Sequence, residues 1–189
     1  RLQAGGGEIL VFEYIEDATS LFEDWRVSDG ELRQCLMQGV IPELARLHES
    51  GVIQRDIHPE NFLIQQDRVY TIDGGHVVRS LHLSQARSLD NLSLFLAQFQ
   101  SDIDESIPAL LALYESARGW PAHPERLGNL LARVGKHRMD RKQDYIAKAF
   151  RDCTRFACQK EFGRFVVCER HCDTPALREV INNPDQAIS

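Results

Sequence analysis

The sequence predicts an α+β fold, and three observations carry that expectation. EILVFEYI (8–15) is a continuous apolar run with β-branched and aromatic residues, the pattern of a buried strand. NFLIQ (61–65) and VYTID (69–73) are two further short strand candidates joined by QDR, which makes them a hairpin. From Leu83 onward the apolar spacing turns helical, so strands come early and helices late. The 189 residues, 43% hydrophobic and 26% charged, are enough for one globular core.

The elements follow in chain order. EDATSLFEDW (16–25) reads as a turn into a short helix. Ser28 then opens SDGE, with Glu31 three residues on, a capping-box pattern. The helix after it carries Leu32, Leu36, Met37, Val40, Leu44 and Leu47 at helical spacing, with a kink expected at Pro42 and a glycine stop at Gly51. Later helices are expected at 84–100, 104–117, 124–135, 140–158 and 175–182, with one more strand at 163–168. There is no internal repeat and no low-complexity linker.

Composition excludes some classes of function. No apolar run reaches the length of a membrane span, and no signal peptide is visible at the start. The five cysteines form no paired framework, which favours a reducing compartment. Cys153, Cys158, Cys168 and Cys172 lie near His171, but their spacings are not those of a zinc site, so buried or free thiols are expected. The net charge is −6, yet residues 133–170 hold eleven Lys or Arg against five acids. That asymmetry fits either a solvated helix face or an anionic partner. Few aromatics lie between these charges and the pI is about 5.6, so nucleic acid is not the expected partner.

The chemistry concentrates in QRDIHPENFLI (54–64), where Arg55, Asp56, His58 and Asn61 are crowded between apolar runs. Phosphoryl transfer needs a carboxylate to orient the acceptor hydroxyl and oxygen ligands for Mg²⁺. Asp56, Asn61 and Asp73 could supply all three, Asp73 from the end of the hairpin. Asp and Asn also favour plain turns. His58 could touch the acceptor or brace the loop, and bracing is the favoured reading. His48 and His76 are expected to be structural or exposed.

QRDIHPENFLI…VYTIDGG resembles the catalytic and metal-binding loops of the protein-kinase-like superfamily, H-R-D-x-x-x-x-N followed by an apolar hairpin and D-F-G. LHESGVIQRDIHPENFLI is most similar to the lipopolysaccharide core heptose kinases, as are RSLDNLSLFL (87–96) and RKQDYIAKAFRDCTRFA (141–157). The resemblance implies a mostly helical kinase-like C-terminal lobe over 18–189, with 1–17 as the end of the N-lobe and the hinge. It implies that Asp56 orients the acceptor hydroxyl, that Arg55 is the loop arginine, and that Asn61 and Asp73 hold Mg²⁺. In the hinge VFEYIED (11–17), the backbone of Glu13 and Ile15 would bind the adenine of ATP, with Tyr14 between them and Phe12 behind the pocket. Gln54 stands where the family has His, and Gly74-Gly75 where protein kinases have Phe-Gly. The glycine-rich loop, strand lysine and partner glutamate of an N-lobe do not precede the hinge, and AGGG (4–7) is no phosphate loop. The N-lobe is therefore expected to lie upstream of Arg1.

The implied reaction is transfer of the ATP γ-phosphate to a sugar hydroxyl of the lipopolysaccharide core. The implied place is the cytoplasmic face of the inner membrane, peripherally attached. An aminoglycoside- or choline-type kinase and a non-catalytic pseudokinase are the alternatives.

Overall fold

The computed structural model describes residues 2–4, 7–9, 13–66, 68–99 and 102–182. Two compact units divide at Gly135 and Lys136.

The first unit begins with a small antiparallel pair, β1 (Leu2–Ala4) and β2 (Gly7–Ile9). The strand expected over 8–15 is shorter than its apolar pattern. Glu13, Tyr14 and Ile15 are irregular and pair with no strand, and Phe12 lies outside the described residues. A turn with Asp17 at φ +53 leads into β3 (Thr19–Ser20) and α1 (Leu21–Val27). A full capping box starts α1. Ser20 Oγ accepts from the Glu23 amide, and the Glu23 carboxylate accepts from the Ser20 amide.

The capping box expected at Ser28 and Glu31 does not form. Ser28 Oγ instead donates to the Asp24 carbonyl at 2.6 Å, closing α1. Asp29 caps α2 (Gly30–Glu49), accepting from the Leu32 amide at 3.0 Å. α2 continues through Pro42 as one helix and buries Met37, Val40, Ile41 and Leu44. Leu32, from its expected apolar face, is 52% exposed. Gly51 does end the helix, at φ +76. A Cβ there would lie 1.9 Å from the Ser80 carbonyl oxygen, so only glycine fits.

β4 (Val52–Gln54) follows, then a 3-10 turn at Pro59–Asn61, then the expected hairpin of β5 (Phe62–Gln65) and β6 (Arg68–Thr71). Gln65 pairs with Arg68, and Gln66 takes φ +55 in the turn. β3 adds to the open edge of β5. β7 (Val77–Arg79) returns to pair with β4, a two-stranded sheet that the apolar pattern does not announce. Next come α3 (Gln85–Leu96), capped by Ser84, and α4 (Ile107–Ala117), both close to expectation. Phe62, Phe95, Phe99 and Trp25 pack ring against ring beneath the hairpin, with centroids 4.5–5.2 Å apart. This cluster and the buried face of α2 form the floor under the 52–76 segment.

α5 (Pro124–Ala149) is one helix of 26 residues where two, 124–135 and 140–158, are expected. Gly135 does not break it, and residues 150–158 are not helical. Phe156–Glu161 is instead a strand, β8, paired with the expected strand β9 (Arg164–Glu169). Gly163 at φ +75 makes the two-residue turn between them. α6 (Pro175–Asn182) matches its expected bounds. No helix among the described residues is long and apolar enough to cross a membrane.

Candidate functional site

The site is built on two loops that local hydrogen bonds hold together. The first runs from the end of β4 to β5. Its Asn61 carboxamide donates to the Asp56 carbonyl at 2.9 Å, clipping the loop across five residues. The Asn61 amide donates to the His58 carbonyl at 2.9 Å. His58 Nδ1 accepts from the Glu60 amide at 3.4 Å and so caps the turn. His58 thus hydrogen-bonds within its own loop and is half-buried. Buried Ile57 and Pro59 pin the loop to the core between these polar residues.

The second loop leaves β6. The Ile72 amide donates to the Asn61 carbonyl at 2.9 Å, so the two loops run together just before Asp73. Asp73 itself is left-handed at φ +58, a conformation that Asp tolerates and most side chains do not. Its carboxylate accepts from the Gly75 amide at 3.4 Å and starts the 3-10 turn Gly74–His76. That turn brings His76 back, where its carbonyl accepts from the Arg55 amide at 3.1 Å. Ligand atoms of Asp56, Asp73 and His76 all lie within 4.8 Å of one another, and all three residues are exposed.

Gln54 joins the loops from beneath. It is 3% exposed, and its amide donates to the Ile72 carbonyl at 3.0 Å and the Asp73 carbonyl at 3.4 Å. Gln54 thus holds the backbone on either side of the Ile72–Asp73 bond. Behind it runs a buried chain of polar groups. The Asn91 amide donates to the Gln54 carbonyl at 2.9 Å, so its Oδ1 must accept from His48 Nε2, also at 2.9 Å. His48 Nδ1 is then an acceptor for the Tyr114 hydroxyl at 2.6 Å, and Arg118 donates to that hydroxyl at 3.4 Å. Burial above all, with the nearby Arg118 charge adding to it, pushes the His48 pKa down to about 4, although its bond to Asn91 opposes the shift. Burial pushes Tyr114 up to about 12. His48 is thus structural, as expected.

No protein-family model matches the chain. Over 87 residues it is 30% identical to the serine/threonine-protein kinase SSK22 of Saccharomyces cerevisiae. The matched stretch is 45% of this chain and 6% of the yeast protein, so the chain spans a small part of the relative's length. The similarity is to a protein kinase, and it is partial.

Other expected site residues stand as follows. Arg55 is exposed beside Asp56. Glu13 and Tyr14 are exposed, Tyr14 at 85%, and Ile15 is half-buried. The strap after them is tied to the hairpin, because Gln65 donates to the Glu16 carbonyl at 2.7 Å. His76, expected to be structural or exposed, is exposed, and it lies with the two acids. The one signal is its place three residues after Asp73 across two glycines, which lets a single tight turn fold it back.

The cysteines are free thiols. In the β8–β9 ladder Cys168 faces Ala157 and Cys158 faces Val167, so Cys158 and Cys168 point to opposite faces and cannot share a metal.

Proposed function

We propose that this chain is the acceptor- and metal-holding part of an ATP-dependent phosphotransferase whose acceptor is a sugar hydroxyl of the lipopolysaccharide core. The observation that carries the reading is the approach of the Asp56 and Asp73 carboxylates, with the Asn61 carboxamide clipped to the Asp56 backbone. The partial likeness to a protein kinase supports phosphotransfer in general. The acceptor rests on the resemblance of residues 47–96 and 141–157 to the heptose kinases. Its natural setting is the cytoplasmic face of the inner membrane, touched peripherally.

The donor set fits Mg²⁺. Two carboxylates and a carboxamide oxygen are the hard ligands that ion prefers, whereas the His76 imidazole is not. Asp73 and Asn61 would hold it, and it would supply charge neutralisation at the phosphate oxygens. Asp56, exposed at the loop apex, orients the acceptor hydroxyl and takes its proton as that oxygen bonds to the γ-phosphorus. The bond from phosphorus to the bridging oxygen breaks and ADP departs. Arg55 contributes positive charge beside Asp56.

The test uses the full-length natural protein with labelled ATP, Mg²⁺ and dephosphorylated lipopolysaccharide core. Label is expected in the glycolipid. Asp56→Asn and Asp73→Asn are each expected to lower the rate by about 10²–10⁴-fold. A near wild-type rate in either variant would overturn the assigned roles. Label moving only to an aminoglycoside or choline would replace the acceptor. Neither turnover nor ATP binding would leave the pseudokinase.

A further inference from the structure

The eleven basic residues of 133–170 are not spread evenly over a solvated face. Part of them converges on an open cleft of about 520 Å³, lined only by residues 141–155 of the second unit. Arg141, Asp144, Tyr145 and Lys148 lie three, four and seven residues apart, so they stand on one face of the last turns of α5. Past the end of α5, Arg151 and Arg155 line the same cleft.

Four cations and one acid, Asp144, therefore share one concavity. Basic residues at a helix C-terminus often do no more than offset its dipole, which amounts to about half a negative charge. With Glu169 beside Arg155 counted as well, the four cations exceed the two acids and that half charge by about 1.5 charges. Arg155 is partly engaged, lying 3.6 Å from Glu169 and stacked 4.7 Å from the Tyr145 ring centre. That stacking fixes the guanidinium plane at the cleft wall. Among the described residues neither Lys148 nor Arg151 pairs with a carboxylate. The Cys153 thiol, also in the lining, accepts from the Phe156 amide at 3.4 Å. That bond above all, then the Arg155 amide and, less, the Arg151 and Arg170 charges, hold its pKa below the usual thiol value.

We infer that this cleft binds a phosphomonoester group, gripped by Lys148 and Arg151 and flanked by Arg141 and Arg155. Guanidinium forks match phosphate oxygens in pairs, and a phosphomonoester of about −1.5 to −2 charge balances the surplus. The cleft is within the general size range of small-molecule sites, about 300–1,000 Å³. The inference uses no residue of the 54–76 loops, so it fails separately from the catalytic roles proposed there, although its residues lie in the 141–157 stretch on which the proposed acceptor partly rests.

Titration calorimetry and arginine side-chain NMR on the full chain test it. The probes are inorganic phosphate, glycerol 3-phosphate, and phosphatidylcholine vesicles with and without phosphatidic acid. Saturable binding is expected, with shifts at Arg151 and Arg155. The Lys148→Gln/Arg151→Gln pair is expected to weaken it about tenfold or more. Lys136→Gln/Lys142→Gln removes equal charge from α5 outside the cleft and should leave binding intact. Binding of the soluble probes identifies a soluble phosphomonoester, and binding of the phosphatidic acid vesicles alone identifies a lipid headgroup. Equal losses in the two double variants, or equal binding of chloride and phosphate, would reduce the effect to general electrostatics and overturn the inference. Absence of binding to every probe would also overturn it.

Discussion

Gln54 is a buried side chain that tethers the backbone leading into Asp73. Its amide holds the Ile72 and Asp73 carbonyls, while its own Oε1 is buried without a hydrogen-bond partner. Gln54→Met removes both the tether and the orphan oxygen. A lost buried bond and a relieved desolvation are each worth about 1–3 kcal/mol and oppose one another. Stability is therefore expected to change by no more than about 1 kcal/mol in a denaturant titration. Under the proposed role of Asp73, Mg²⁺ affinity is expected to fall about tenfold, because the left-handed Asp73 backbone loses its support. An unchanged affinity would show that the Asn61–Ile72 bond alone sets the loop. The proximity of Asp56, Asn61 and Asp73 was legible in the sequence because their spacing is local, five residues in one loop and a short hairpin. His76 was not legible, because its position depends on the turn that follows a left-handed aspartate.

At the scale of elements, two short signals decide how the chain enters and leaves α1 and α2. Ser20→Ala is expected to cost about 1 kcal/mol, because Ser20 holds the Glu23 amide and the Glu23 carboxylate holds Ser20 in return. Gly51→Ala is expected to cost more, at least about 2 kcal/mol, since a left-handed alanine would also strike the Ser80 backbone. Thermal unfolding of the two variants should rank them in that order, and the reverse ranking would mean that the 80s segment yields easily. The glycine stop, α3, α4, α6, β9 and the hairpin were legible because apolar period and turn residues agree there. The capping box was misplaced because Ser20 and Ser28 both have Glu three residues on, and the local pattern does not say that Asp29 caps better. Helix was expected over 150–158 because the spacing from Arg141 continues through Phe150. Cross-strand pairing with β9, a non-local interaction, decides otherwise. β4 and β7 were invisible for the same reason, being three residues each and visible only as a pair.

For the whole molecule, the buried polar chain from Arg118 to Gln54 predicts acid sensitivity. His48 titrates near its ordinary 6.5 when unfolded and at about 4 when folded. Between those values the unfolded chain binds a proton that the native protein refuses, so native stability falls as pH drops through that window. Above it His48 is neutral in both states and contributes nothing to pH dependence. The shift corresponds to a loss on the order of 3 kcal/mol once the pH is below about 4. The groups facing the ring are the Tyr114 hydroxyl, the Asn91 amide and Arg118. Tyr114, with its pKa near 12, remains a donor throughout. The chain's two tryptophans, Trp25 and Trp120, both lie in the first unit, so their fluorescence follows the unit that contains His48. Denaturant titrations read by that fluorescence should show the midpoint falling from about pH 6.5 to about pH 4. In His48→Gln the group that titrates is gone, and the slope over that interval should flatten even though the variant starts out less stable. Parallel slopes in the two proteins would place the acid response in the carboxylates instead, and would mean that protonated His48 finds a new partner within the core.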